Sequence, residues 1–122
     1  MKFAYVDHWM RSVFASNGSL QFACGRGWET VALLMQLAGS VAHLSALHQL
    51  PGVQVVAVTM AGAAGYVVLR CQDVELRVYP IDHRGRQVKM TSGEEMWSLS
   101  KVVVFEISVR GKVISRPKVA TA

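Results

Sequence analysis

The sharpest piece of chemistry in this chain is a thiol beside a glycine turn. Cys24 is followed by Gly25-Arg26-Gly27 and then by a long apolar stretch that starts at Trp28. If that stretch is a helix, Cys24 lies near its N-terminal end. The dipole and Arg26 would then both favour thiolate, and the turn's N–H groups would suit an anion. A cysteine-dependent enzyme is therefore one function to weigh. It needs a base within hydrogen-bond reach, which the sequence does not place. The plainer alternative is a tight turn that requires glycine beside a core cysteine. The run also lacks the third glycine of a dinucleotide loop and the Gly-Lys-Ser/Thr of a phosphate loop. Trp28 is too bulky for close backbone approach.

The other reactive residue types do not assemble. His43 and His48 are five apart on one expected helix, so they point to different faces, whereas metal binding needs four. His8 and His83 are isolated. No metal or other cofactor is expected. No Ser-His-Asp set or carboxylate pair stands out. Asp7, Asp73 and Asp82 fall in or near expected turns, and Asp82-His83-Arg84 reads as a polar turn.

Charge points toward partners. The net charge is +5 and the isoelectric point is near 9.6. From Arg70 onward there are ten Lys/Arg against six Asp/Glu. Arg84, Arg86 and Lys89 cluster around one turn; Arg110, Lys112, Arg116 and Lys118 cluster around another. Two basic hairpins on one sheet could follow a phosphate backbone, which makes nucleic-acid binding an alternative function. Tyr79, Trp97 and Phe105 lie near these segments, but Phe105 is expected on the buried face and no stacking platform is evident. Met10, Met60, Met90 and Met96 with Trp9 and Trp97 suit an adaptable protein-binding surface if they are exposed. Met96, Trp97, Trp9 and Met10 are the candidates for such contacts.

The elements that must hold these residues follow from charge and period. Residues 30–69 contain no Asp, Glu, Lys or Arg. Two membrane-spanning arms joined at Pro51-Gly52 would have the roughly 17–25 residues a bilayer requires. The first arm, however, carries Gln36, Ser40, His43, Ser45, His48 and Gln49, a heavy polar load for hydrocarbon. The second is broken by the Gly/Ala-rich run 61–65, so no membrane partner is expected. The soluble reading makes residues 28–50 one long helix, with Trp28, Val31, Leu34, Met35, Ala38, Val41, Ala42 and Leu50 near helical spacing. Glu29, Gln36, Ser40 and His43 share the one wet strip, and Pro51-Gly52 ends the helix.

Beyond Gly52 the period becomes two. Strands are expected at 53–58, at 66–71, and through Val74, Leu76 and Val78, with Gln72-Asp73 a tight turn. Val88 with Met90 marks a further strand, and residues 92–99 a short helix with capping-box spacing. Phe105, Ile107 and Val109 alternate with Glu106 and Ser108; Arg110-Gly111 turns into a closing hairpin at 112–115. The N-terminus reads as a helix through Phe3, Val6, Met10, Val13 and Phe14, stopped at Asn17-Gly18. A strand over 3–9 is the alternative. Leu20, Phe22 and Cys24 then alternate as a strand.

These elements predict a single α+β domain over residues 1–122: one long, largely buried helix packed on an antiparallel sheet of about five or six strands. Residues 116–122 are expected to be a frayed tail. No secretory signal is apparent, and two cysteines do not make a disulfide framework, so a reducing cytoplasm is expected. The expected function is a small intracellular, non-enzymatic binding or regulatory protein that acts on a partner protein. Homodimerisation would cover leftover apolar surface. An accessory inhibitor of a larger host machine, of phage or plasmid kind, is a variant of the same reading.

Overall fold

The computed structural model describes residues 1–60, 63–88 and 97–115. The expected α+β architecture is present: among the described residues, three helices pack on one face of a six-stranded sheet. The strands are β1 (Lys2–Tyr5), β2 (Gln54–Met60), β3 (Ala63–Cys71), β4 (Val74–Pro80), β5 (Lys101–Val109) and β6 (Lys112–Val113). Their order is β1-β5-β4-β3-β2, and β6 pairs with β5 beside β1. Every pairing is antiparallel except β1 with β5, which is parallel.

The helical layer is continuous but lies earlier in the chain than period alone predicts. It contains α1 (His8–Val13), α2 (Asn17–Cys24), one 3₁₀ turn (Gly25–Gly27) and α3 (Trp28–Gly39). Leu20, Cys24, Gly27, Val31, Leu34 and Ala38 are spaced 4, 3, 4, 3 and 4, and all are buried. That near-helical period carries one seam through both helices and the turn between them. The period-two reading of Leu20, Phe22 and Cys24 as a strand fails because only the first and last are buried. Phe22 is 90% exposed. Asn17-Gly18 starts α2 rather than stopping a helix. The Ser16 hydroxyl accepts the Ser19 N–H at 3.1 Å and caps that first turn.

The expected helix over 28–50 ends eleven residues early. Ser40 N–H bonds back to Gln36 and Leu37, and its hydroxyl donates to the Leu37 carbonyl at 2.6 Å. His43 is extended, at φ −155° and ψ 170°, and a 3₁₀ segment follows over Leu44–Gln49. Val41, Leu44, Leu47 and Leu50 are three apart, the 3₁₀ period rather than the α period. Leu44 and Leu47 are fully buried, and Val41 and Leu50 pack against the same core.

The N-terminus uses both of its readings in turn. Phe3 and Tyr5 lie on a strand, and a helix begins after Asp7, whose carboxylate accepts the Met10 N–H at 2.8 Å. Tyr5 stacks on Phe14 with ring centroids 5.1 Å apart. The tight turn at Gln72-Asp73 forms with Gln72 at φ 54°, and the closing hairpin turns on Arg110 and Gly111, at φ 54° and 79°. At Arg110-Gly111, positive φ at both central residues is the geometry that matches strand twist. The expected strand at Val88 and Met90, the helix over 92–99 and the tail lie wholly or partly outside the described residues, as does the start of the turn-prone run 61–65, whose residues 63–65 belong to β3. Among the described residues no helix is long and apolar enough to cross a membrane.

Candidate binding groove

The thiol turn and one of the basic clusters, far apart in sequence, form one surface. The Gly25–Gly27 turn stands over the β5–β6 hairpin. Between them lies a groove of about 670 Å³ lined by Phe22, Arg26, Arg110, Lys112, Val113 and Ile114, with Cys24 and Gly27 behind. Two features of the turn set this up. Gly25 has φ 61°, a conformation that costs a side-chain-bearing residue. Gly27 packs directly on Val109 of β5. The plainer reading of the glycine turn, close packing beside a core cysteine, is thus what the geometry contains.

The surroundings of Cys24 work against a thiolate. Cys24 is 7% exposed, and burial pushes its thiol up to about 11. The cause is desolvation of the charged form by burial.

Charge in the groove is one-sided. Among the described residues its lining contains no Asp or Glu. Arg110 is engaged from outside: its Nε donates to an Asp73 carboxylate oxygen at 3.0 Å, and its backbone N–H to the Asp73 carbonyl at 2.8 Å. The two hairpin turns clasp each other at this end of the sheet. Arg26 and Lys112 form no ion pair among the described residues. Phe22, at 90% exposure, and Val113, at 46%, add apolar surface beside these cations.

The second basic cluster is elsewhere. Arg84 and Arg86 follow β4, whereas Arg110 meets the turn that precedes it, so the clusters sit at opposite ends of a seven-residue strand. Seven residues span about 20 Å. The N–H groups of Arg86 and Arg84 are already taken by the Asp82 carboxylate, at 3.0 and 2.9 Å. These bonds hold Asp82 below the usual carboxylate range, Arg86 contributing most. Lys89, Arg116 and Lys118 lie outside the described residues.

The aromatic and methionine candidates also divide. Met10 is 2% exposed and belongs to the core. As a contact residue it is a correction, because the Asp7 cap turns this position of α1 inward. Trp9 is half-buried. Trp97 is half-buried against His48, with ring centroids 4.7 Å apart. Met96 lies outside the described residues. Because the helix stops before residue 43, His43 and His48 are not on separate faces of one helix; both line a hollow with Trp97. Among the described residues no three His, Cys, Asp or Glu side chains gather.

Phe105 is a further correction. Arg77 pairs with Glu106 and Val78 with Val104, so β5 holds an extra residue there. A bulge resets the alternation. Val104 and Ile107 both enter the core, and Phe105 joins the opposite face of the sheet, away from α1, α2 and α3. It lies 5.5 Å from Tyr66 and 5.7 Å from Tyr79 by ring centroids. Arg70, Glu75, Arg77 and Glu106 form a ladder of ion pairs across the same face.

Sequence reasoning missed Phe22, and its exposure was hidden by the strand reading. The 4-3-4-3-4 spacing around it was the signal that would have turned it outward. No known protein family, curated protein or solved structure matches the chain.

Proposed function

We propose that this chain is a small, non-enzymatic binding or regulatory domain that acts by holding a partner protein in the groove between the glycine turn and the β5–β6 hairpin. The observation that carries the reading is Phe22, almost fully exposed beside Arg26 and Lys112. An exposed aromatic at a groove rimmed by cations suits a segment with an apolar anchor and flanking carboxylates. A reducing, cytoplasmic setting fits two unpaired, buried cysteines.

Nucleic-acid binding has weaker support. Its cations are split between the two ends of the sheet, and Asp73 already engages the Nε of Arg110. The cysteine enzyme has the least support, since burial works against a thiolate at Cys24.

The test is fluorescence anisotropy with two labelled peptide pools, one rich in Glu with Phe or Leu anchors and one in which Lys replaces Glu. The acidic pool should bind, and binding should fall at least tenfold in Phe22→Ala and in Lys112→Glu. Equal binding of both pools, or none, would remove the reading. A labelled single-stranded oligonucleotide in a salt series serves as the third arm. Tight binding there that Arg84→Ala with Arg86→Ala abolishes would replace the groove with the nucleic-acid reading.

A further inference from the structure

We infer that the outer edge of β2 is a self-association site, where a second copy of this chain adds its own β2 in antiparallel register. This stands apart from the groove, which lies at the other margin of the sheet.

β2 ends the strand order, and β3 is its one neighbour among the described residues. No backbone hydrogen bond from another described segment reaches 54–60 on the far side. Alternate residues of such a strand turn N–H and C=O toward open solvent, a template for another strand. Sheet edges are ordinarily blunted by short length, lysine, proline or bulges. The opposite margin follows that rule: β1 and β6 have four and two residues and carry Lys2 and Lys112. β2 does not. It has seven residues, Gln-Val-Val-Ala-Val-Thr-Met, with no charge and no proline. Its one irregularity falls between Val58 and Met60, so the first five residues run regularly. Val56 is 50% exposed, and Ala57 and Thr59 are exposed.

Two arguments select a second copy as the occupant. The first is pairing. A two-fold axis at Ala57 sets Val56 opposite Val58 and Val55 opposite Thr59. Each pair joins residues of like parity, so every side chain keeps its face and the two helical layers lie on the same side. Such a pairing is isologous and closes at two chains. The second argument is charge. A chain of net charge +5 repels its copies across most of its surface, but β2 lies wholly within the uncharged window 30–69. Copies meeting there oppose no like charges, and β-branched pairs face each other.

The test is sedimentation equilibrium of the full chain over a dilution series, with Ala57→Lys and Thr59→Lys alongside. Lysine at 57 would face its copy across the axis. The native chain should show a dimer that dissociates on dilution. Ala57→Lys should be monomeric with an unchanged circular dichroism spectrum, and amide exchange across 54–58 should become faster in it. Thr59→Lys gives the same reading should the first variant fold poorly. A native chain that stays monomeric at every concentration overturns the inference. A dimer that persists in folded Ala57→Lys and Thr59→Lys overturns it as well.

Discussion

Gly27 leaves no space between the helical layer and β5: a Cβ on it would lie 2.4 Å from Val109 Cγ1. This contact docks the 3₁₀ turn on the strand that leads into the closing hairpin. It therefore sets the width of the groove that holds Arg26 opposite Lys112. The backbone of Gly27 is unstrained, at φ −87°, so its glycine is needed for space rather than for conformation.

Gly27→Ala should destabilise the fold by about 1–3 kcal/mol, the usual cost of overpacking a filled core. Helix propensity favours alanine by about 0.5–1 kcal/mol and offsets part of this. Urea denaturation measures the difference. A variant as stable as the parent would mean that Val109 can move aside.

Cys24 should resist alkylation by iodoacetamide at neutral pH in the native protein and react once the chain is unfolded. Its folded pKa, about 11, lies above the ordinary thiol value of 9.0. The folded state therefore holds its proton more tightly than the unfolded state. The resulting stability is complete below the unfolded value and is lost as pH rises through about 11. Cys24→Ser should flatten the alkaline limb of a stability–pH curve. Fast alkylation of the native thiol would contradict the burial.

Asp82 titrates in the opposite sense. Its folded pKa is lowered by the Arg86 and Arg84 N–H groups. Its contribution is present above the ordinary carboxylate value and disappears as pH falls through the folded value. A carboxyl-carbon NMR titration should place its midpoint below those of other aspartates. Asp82→Ala should remove this contribution from the acid limb and leave the N–H groups of Arg84 and Arg86 without their acceptor.

Leu33 and Leu34 are sequence neighbours with opposite fates. Leu34 is fully buried, and Leu33 is 43% exposed. Leu34→Ala should cost about 2–5 kcal/mol, the range for a cavity in a packed core. Leu33→Ala should stay within about 0.5 kcal/mol, as surface changes do. Thermal melts of the pair test the phase of the helical seam. Equal losses would mean that α3 presents a different face.

The amino-acid sequence alone determined the features that rest on local signals. Gln72-Asp73 and Arg110-Gly111 mark their turns because short polar or glycine-bearing pairs between alternating strands have few other conformations. Trp28 begins the helix that follows the glycine turn, and the period of two after Gly52 marks the strands. The sheet's class follows from these elements.

Tertiary structure decided what depends on competition between periods or on distant strands. Leu20, Phe22 and Cys24 satisfy a strand period locally; the seam that Leu20 and Cys24 share with Val31, Leu34 and Ala38 makes the segment helical once a sheet is there to bury it. The uncharged run around His43 fits a helix until Leu44 and Leu47 can be buried at a spacing of three. The bulge at Phe105 exists only in the pairing of β5 with β4, and it moves one aromatic ring to the other face of the sheet. The groove joins Arg26 to Lys112 across more than eighty residues. No local pattern encodes that meeting, because it is set by where two packed layers come to rest.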